Sequence, residues 1–241
     1  MTDLLGDSGI RPNLYQALCT LADKHQVPGG QLAIHIRGLT DLMEFGQRSV
    51  EPPSPVTHAT AFPVGSISKA FTATAAMILV ADGDLELDAP IVGYLPDLKD
   101  MCAQITLRQL LSHTSGLGSG AIPGTVSTVS LARYVAEHCR DRNLVLAPGT
   151  GFSYSNTGFI VAGHLIENVT GMNFWEAMES ILLRPLGIEP AFIVDPRRQP
   201  AQRPLARGYS VNQSLNRTLP VDQSLACAEA PAGALALSAA A

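Results

Sequence analysis

The stretch FPVGSISKAFTATAAMILV, residues 62–80, decides how this chain is read. It holds two serines, Ser66 and Ser68, then Lys69, then a run that is almost wholly apolar. A lysine at the entrance of a buried helix is costly to desolvate, so Lys69 needs a purpose and a serine to serve. If the helix starts near Ser66, Lys69 lies one turn on at i+3 and projects from the same face, whereas Ser68 points elsewhere. A serine hydroxyl becomes a useful nucleophile only when a base within hydrogen-bond reach removes its proton. Burial and the positive end of a helix both lower a lysine's pKa, so part of the Lys69 population could be neutral amine, or the ammonium could polarise a neighbour. The backbone N–H of Ser66, at the helix start, faces the right way to donate to a developing oxyanion. A plainer alternative has Ser66 capping the helix and Lys69 snorkelling to solvent. These residues alone leave both open, although Gly65 at a strand-to-helix turn and the apolar helix behind it strengthen the first.

Further along, APGTGFSYSNTGFIVAGHLIENVTG, residues 147–171, sets Tyr154-Ser155-Asn156 in a turn just before an amphipathic helix. A tyrosine is a poor base in water, with a pKa of about 10, but beside a lysine ammonium its phenolate becomes accessible. Tyr154 could then take the Ser66 proton and hand it to a leaving group, while Asn156 holds a substrate carbonyl or Lys69. The alternative is a tyrosine that plugs the turn and an Asn156 that caps the helix.

The segments around these two define an α+β chain. Leu14, Ala17, Leu18 and Leu21 predict an amphipathic helix over about Asn13 to His25, closed by Pro28-Gly29-Gly30. QLAIHIRG and DLMEFGQ, joined by Gly38-Leu39-Thr40, read as a β-hairpin, and TAFPVGS gives one more short extended piece. The helix over Ser68 to Asp82 is apolar on nearly every side, as one buried mid-domain would be. Thr106-Leu107-Arg108-Gln109 is a capping box with Gly116 placed to end its helix, and a Gly, Ser and Thr-rich loop follows from Ser115 to Thr128. Helices are expected at Ser130 to Arg140, Thr157 to Thr170 with Gly171 as the stop, and Asn173 to Leu183. Strands first and helices after fit a sheet with a helical lobe attached. Residues 195–224 are Pro, Arg, Gln and Ser-rich, a surface loop or an irregular strand pair. The chain stops in CAEAPAGALALSAAA, where a helix begins and no strand follows to pair with the opening hairpin.

Composition excludes several function classes. With 241 residues, 46% hydrophobic and 15% charged, the chain can bury a real core. A net charge of −5 argues against a nucleic-acid partner, which needs clustered Lys and Arg. Arg197, Arg198, Arg203 and Arg207, interrupted by prolines, read as a solvated loop. The first thirty residues carry Asp3 and Asp7 and have no secretory pattern, and no apolar run spans a bilayer, so a cytoplasmic protein without membrane association is expected. Cys19, Cys102, Cys139 and Cys227 form no CxxC pair and are expected as buried free thiols. His164-Leu165-Ile166-Glu167 lacks the second histidine of a zinc helix and reads as helix surface. Gly116 to Gly120 lacks a P-loop lysine and reads as a flexible loop bordering the pocket, and no GxSxG elbow appears. No metal or cofactor is called for. Trp175 beside Phe174 is read as packing.

Together FPVGSISKAFTA, ITLRQLLSHTSGL, PGTGFSYSNTGFIVAGHLIENVTGMNF with LLRPLGI, and APAGALALSAA, in that order, resemble the serine β-lactamase and penicillin-binding-protein superfamily. The resemblance is to its class C β-lactamase, DD-peptidase and esterase branch, from about residue 30 to the end. It implies a β-lactamase/transpeptidase-like fold: an antiparallel sheet lobe flanked by helices (about 1–65 and 200–241), an all-helical lobe (about 66–199), and the active site between them. It also implies roles: Ser66 as acyl-accepting nucleophile and oxyanion donor, Lys69 as its activating partner, Tyr154 as general base and acid, and Asn156 as a substrate-binding residue. The partner implied is a small-molecule acyl substrate, an ester, amide or lactam. The SDN triplet and deacylating Glu of class A enzymes are not visible, so Tyr154 serves both half-reactions. The family's third element, Lys or His then Thr or Ser then Gly, is not found after Tyr154. His113-Thr114-Ser115-Gly116 looks similar but precedes Tyr154 and reads as a structural helix end. The chain is therefore expected to be a C-terminally incomplete single domain or a defective member. A transacylase with the same chemistry, or a non-catalytic ligand-binding relative, are the alternatives carried forward.

Overall fold

The computed structural model describes residues 9–120, 129–189, 191–192, 203–212, 214, 217–221, 223 and 225–241. They group into two compact units: Met1–Pro63 with Ala201–Gln223 and Ala236–Ala241, and Val64–Pro200 with Ser224–Leu235. Asp3, Asp7, Arg197, Arg198 and residues 121–128 of the predicted loop lie outside the described residues.

The first unit opens with α1 (Ile10–Lys24), three residues earlier than the pattern predicts, because Pro12 falls in the first turn where no N–H is needed. Strands β1 (Gly29–Ile36) and β2 (Leu39–Ser49) form the expected hairpin, in register from Gly29 opposite Gly46 to Ile36 opposite Leu39. Its turn is shorter than predicted. Arg37 and Gly38 alone make it, with φ of 51° and 80°, the pair of positive values whose twist matches the flanking strands. Leu39 and Thr40 are thereby drawn into β2. Asp41 on β2 receives the Arg11 guanidinium at 3.0 Å, which fastens α1 to the hairpin. Next come β3 (Ser54–Pro55), paired with β2, and β4 (Phe62–Pro63).

In the second unit α2 (Ser68–Asp82) has the predicted bounds, and Gly83 ends it with a φ of 84°. Its burial is one-sided, contrary to the expectation of a helix buried all round. Ser68, Lys69, Thr72, Ala75, Ala76 and Leu79 are buried, and Ala70, Thr74, Met77 and Ala81 are exposed. Small alanines on the outer face make the sequence apolar there without requiring cover. The Thr106–Gln109 capping box starts α3 (Leu107–Leu111) as predicted, but the helix stops at Leu111, well before Gly116. Ser115 and Leu117 are buried instead, so this end of the glycine-rich segment is packed rather than flexible. Ser130 caps α4 (Leu131–His138), and Ser155, not Asn156, caps α5 (Asn156–Thr170) through the Gly158 N–H at 2.9 Å. Gly171 ends α5 as predicted, at φ 68°. The expected helix from Asn173 is α6 (Phe174–Met178), continued by a wider π turn over Glu179–Leu183. Apolar α5 is the unit's axis: Phe159, Ile160, Val161, Leu165 and Ile166 are buried, and it packs against α2, α3, α4 and α6. Strand β5 (Ala191–Phe192) is two residues long, so the unit is not wholly helical.

Chain segment 203–223 returns to the first unit as a regular antiparallel hairpin of β6 (Gly208–Asn212) and β7 (Arg217–Val221). Arg203 is no free loop cation, since its Nε donates to the Ala59 carbonyl at 3.1 Å and Nη2 to Ser238 Oγ at 3.0 Å. The predicted sheet range 200–241 does not hold together: Ser224–Leu235, including the short α7 (Ala230–Gly233), groups with the helical unit because α7 packs on α2 and α5. A strand that the sequence reading lacks, β8 (Leu235–Leu237), then pairs antiparallel with β4, Phe62 opposite Leu237. Of the cysteines, Cys102 and Cys139 are buried as expected, but Cys19 on α1 and Cys227 in the turn before α7 are only half-buried. No described helix is long and apolar enough to cross a membrane.

Candidate active site

Where Val64 follows β4, its N–H bonds to the Leu235 carbonyl at 3.0 Å, and Gly65 then turns the chain with a φ of 53°. Any residue with a Cβ is disfavoured in that left-handed region, so glycine is what lets the chain leave the extended segment and enter the 3-10 turn Gly65–Ile67. That turn leaves Ser66 exposed and sets Lys69 on the buried face of α2 one turn later.

Ser66 Oγ accepts two hydrogen bonds, from Lys69 Nζ at 3.1 Å and from the Tyr154 phenol at 2.8 Å. Lys69 Nζ also donates to the Ala232 carbonyl at 2.7 Å and lies 5.0 Å from the Tyr154 ring centroid and 5.7 Å from that of Phe159. At 6% exposed, Lys69 does not snorkel, and α2 has no side-chain cap, so the plainer alternative for this pair is overturned. The cost of burying the ammonium is offset by a carbonyl, a hydroxyl and two ring faces. Ser68 has a separate task. Its Oγ accepts the Leu235 N–H at 3.1 Å, while Thr72 Oγ1 donates to the Pro231 carbonyl at 2.8 Å. Three side chains of α2 thus hold residues 231–235, and that segment holds the lysine in return.

Tyr154 reaches Ser66 from the segment just before α5 and keeps 45% of its surface exposed. Burial alone raises its pKa, but hydrogen bonding to Lys69 and Ser66 and the Lys69 charge reverse this, and the net direction is below the ordinary tyrosine value. Asn156, the first residue of α5, is half-buried. Among the described residues its amide makes no hydrogen bond, so it does not hold Lys69. Ser66, Lys69, Tyr154, Asn156 and Ala232 all belong to the second unit.

One neighbour was discounted in the sequence. His113 lies with its ring centroid 4.4 Å from that of Tyr154, and its Nδ1 accepts the Ser155 N–H at 3.1 Å. In sequence His113 reads as part of a structural helix end, and a histidine 41 residues before a tyrosine carries no spacing rule that announces the contact. His164 of the HxxE motif is half-buried and 3.5 Å from Glu167, whose other oxygen accepts the Phe174 N–H, so the pair is part of the helix packing.

A family model described as Beta-lactamase matches residues 14–241. A beta-lactamase of Providencia stuartii is 32% identical over 192 residues, covering 79% of this chain and 48% of that protein. The chain thus spans about half the length of the curated relatives it matches. Among solved structures, SurE superposes with a TM-score of 0.84 at 40% identity, covering 95% of this chain and 51% of that one, and it has also been solved with D-Leu. A D-amino acid amidase from Ochrobactrum anthropi SV3, solved with D-phenylalanine and separately with L-phenylalanine, has a TM-score of 0.77 at 26% identity, covering 94% of this chain and 67% of that one.

Proposed function

The chain belongs to the beta-lactamase family, and on that premise we propose that it is a serine hydrolase working through a covalent acyl-enzyme on Ser66. The observation that carries this is the single oxygen of Ser66 meeting both Lys69 and Tyr154 within hydrogen-bond distance. With Tyr154 ionised beside the Lys69 ammonium, the 2.8 Å bond reverses and Ser66 donates to the phenolate. Ser66 Oγ then attacks the acyl carbon, its proton passes to Tyr154, and the carbonyl electrons move onto oxygen, where the Ser66 N–H donates to them. Collapse of this intermediate breaks the bond to the leaving group, which takes the proton from Tyr154. Water repeats the sequence in reverse: Tyr154 removes its proton, the ester to Ser66 breaks, and the proton returns to Ser66. The charge of Lys69 holds the phenolate down. Asn156, whose amide makes no hydrogen bond among the described residues, is the residue assigned to the substrate carbonyl.

Hydrolysis is favoured over transfer by the names of the relatives, a beta-lactamase and a D-amino acid amidase. For the acyl group, the structures of SurE with D-Leu and of the amidase with D- and with L-phenylalanine support esters or amides of amino acids with apolar side chains, and the amidase's name favours the D-enantiomer. The experiment is intact-mass spectrometry after mixing with p-nitrophenyl esters of N-acetyl-D-leucine and its L-enantiomer. The expected result is an acyl adduct that forms faster from the D-ester, decays with release of the acid, and is absent in Ser66→Ala. No adduct from either ester or from a penicillin would sink the acyl-enzyme proposal, and equal rates would sink the D-preference.

A further inference from the structure

The two residues flanking Tyr154 are both hydrogen-bonded to one side of the molecule, and both bonds end on His113. The Ser153 N–H donates to the His113 carbonyl at 2.8 Å, and the Ser155 N–H donates to His113 Nδ1 at 3.1 Å. Between these bonds the imidazole lies against the Tyr154 ring, centroids 4.4 Å apart and planes inclined by 31°. Phe152 meets the imidazole edge-on at 5.7 Å and Phe159 packs on it at 5.2 Å, so the ring is fenced by aromatic neighbours on three sides. The backbone of His113 is itself in an unfavourable region for a residue with a Cβ, at φ 59°, and is kept there by Thr114 N–H donating to Gln109 at 2.9 Å and by the Ser153 bond.

We propose that His113 is a positioning residue for the acyl-enzyme reaction: as the Nε2–H tautomer it brackets Tyr154 and fixes the phenol on Ser66. The assignment rests on the acyl-enzyme reading above. Because Nδ1 accepts the Ser155 N–H, the ring proton must reside on Nε2. Protonation would place a second donor at Nδ1 against the Ser155 N–H, breaking one arm of the bracket. It would also set a cation against the Lys69 ammonium on α2 and the Tyr154 ring, the titratable groups that face it. Burial and the Lys69 charge oppose this and hold the histidine below its ordinary value, so the bracket is intact at neutral pH and opens in acid.

The test uses the full chain and two substitutions. His113→Asn keeps an acceptor, since Asn Oδ1 takes the place of Nδ1, and tolerates left-handed backbone. His113→Phe keeps a flat ring and loses the acceptor. Acylation of Ser66 by p-nitrophenyl acetate should slow on the order of tenfold to a hundredfold in the Phe variant with little change in KM, and largely recover in the Asn variant. Below the limb set by Tyr154, the wild-type acylation rate should fall more steeply with acid once His113 titrates, as followed by imidazole ¹⁵N NMR, and this extra steepness should vanish in the Asn variant. The same spectra should show Nδ1 without a proton at neutral pH. A Phe variant that acylates at the wild-type rate, an Asn variant whose profile steepens in acid as the wild type's does, or a protonated Nδ1 at neutral pH would each overturn the assignment. If the Phe variant does not fold, the wild-type spectra and the Asn profile decide. Absence of any wild-type adduct fells the acyl-enzyme reading itself, whereas equal adduct formation in wild type and variants fells only the role of His113.

Discussion

At Ser66 one oxygen lies between a buried cation and a half-exposed phenol, and the chemistry depends on which of the three carries a proton. Tyr154→Phe removes the hydroxyl and leaves the ring packing on His113, so Ser66 labelling should slow by ~100-fold or more without loss of folding. Stopped-flow release of p-nitrophenolate measures this, and a wild-type rate would strip Tyr154 of its role. The pH dependence has a definite sign. The phenolate is the base, so kcat/KM should rise with pH through the Tyr154 ionisation, and that limb should lie below the ordinary tyrosine value. Since Lys69 supplies much of the downward shift, Lys69→Met, of similar length but uncharged, should move the Tyr154 ionisation upward. Ultraviolet titration of phenolate, differenced against Tyr154→Phe, reads it. No movement would mean that Lys69 does not set the base.

At the scale of elements, the site depends on how closely α5 and α2 grip residues 231–235. A Cβ on Gly163 of α5 would clash with Pro231 Cγ and lie 2.7 Å from Pro231 Cβ, so only glycine allows this approach. Alanine at a helix interior ordinarily gains about 1 kcal/mol over glycine, but overpacking costs about 1–3 kcal/mol, and at this distance the clash wins. Gly163→Ala should therefore destabilise the chain by roughly 1–2 kcal/mol in urea unfolding. It should also slow Ser66 acylation, because the neighbouring Ala232 carbonyl holds Lys69. A variant more stable than wild type would show that the segment shifts freely. Packing of the kind expected for Trp175 is seen beside this region, with its ring edge-on to Phe174 at 5.5 Å and 4.3 Å from Phe192.

At the scale of the whole molecule, distant segments are tied by side chains that no local pattern distinguishes. Within the first unit Gln31 on β1 donates to the carbonyls of Thr57 and Thr60, the latter at 3.1 Å, and accepts the Ala239 N–H at 2.8 Å. At about 1 kcal/mol for each hydrogen bond, Gln31→Ala should cost roughly 2–3 kcal/mol. Hydrogen exchange at Ala239 and over Thr57–Thr60 should rise, and unchanged protection there would refute the tie. By itself the sequence determined what is written in short-range chemistry: the bounds of α2, the Thr106 capping box, the Gly171 stop, the opening hairpin, and the pairing of Ser66 with Lys69 at one helical turn. These follow from backbone propensities and i+3 spacing, which act within a few residues. Tertiary structure alone decided that α2 is buried on one face, that β8 pairs with β4, that Ser68 and Thr72 anchor the 231–235 segment, and that His113 brackets Tyr154. Each of those is a contact between residues dozens to more than 160 positions apart, where the sequence shows that a partner is needed but only packing selects which one.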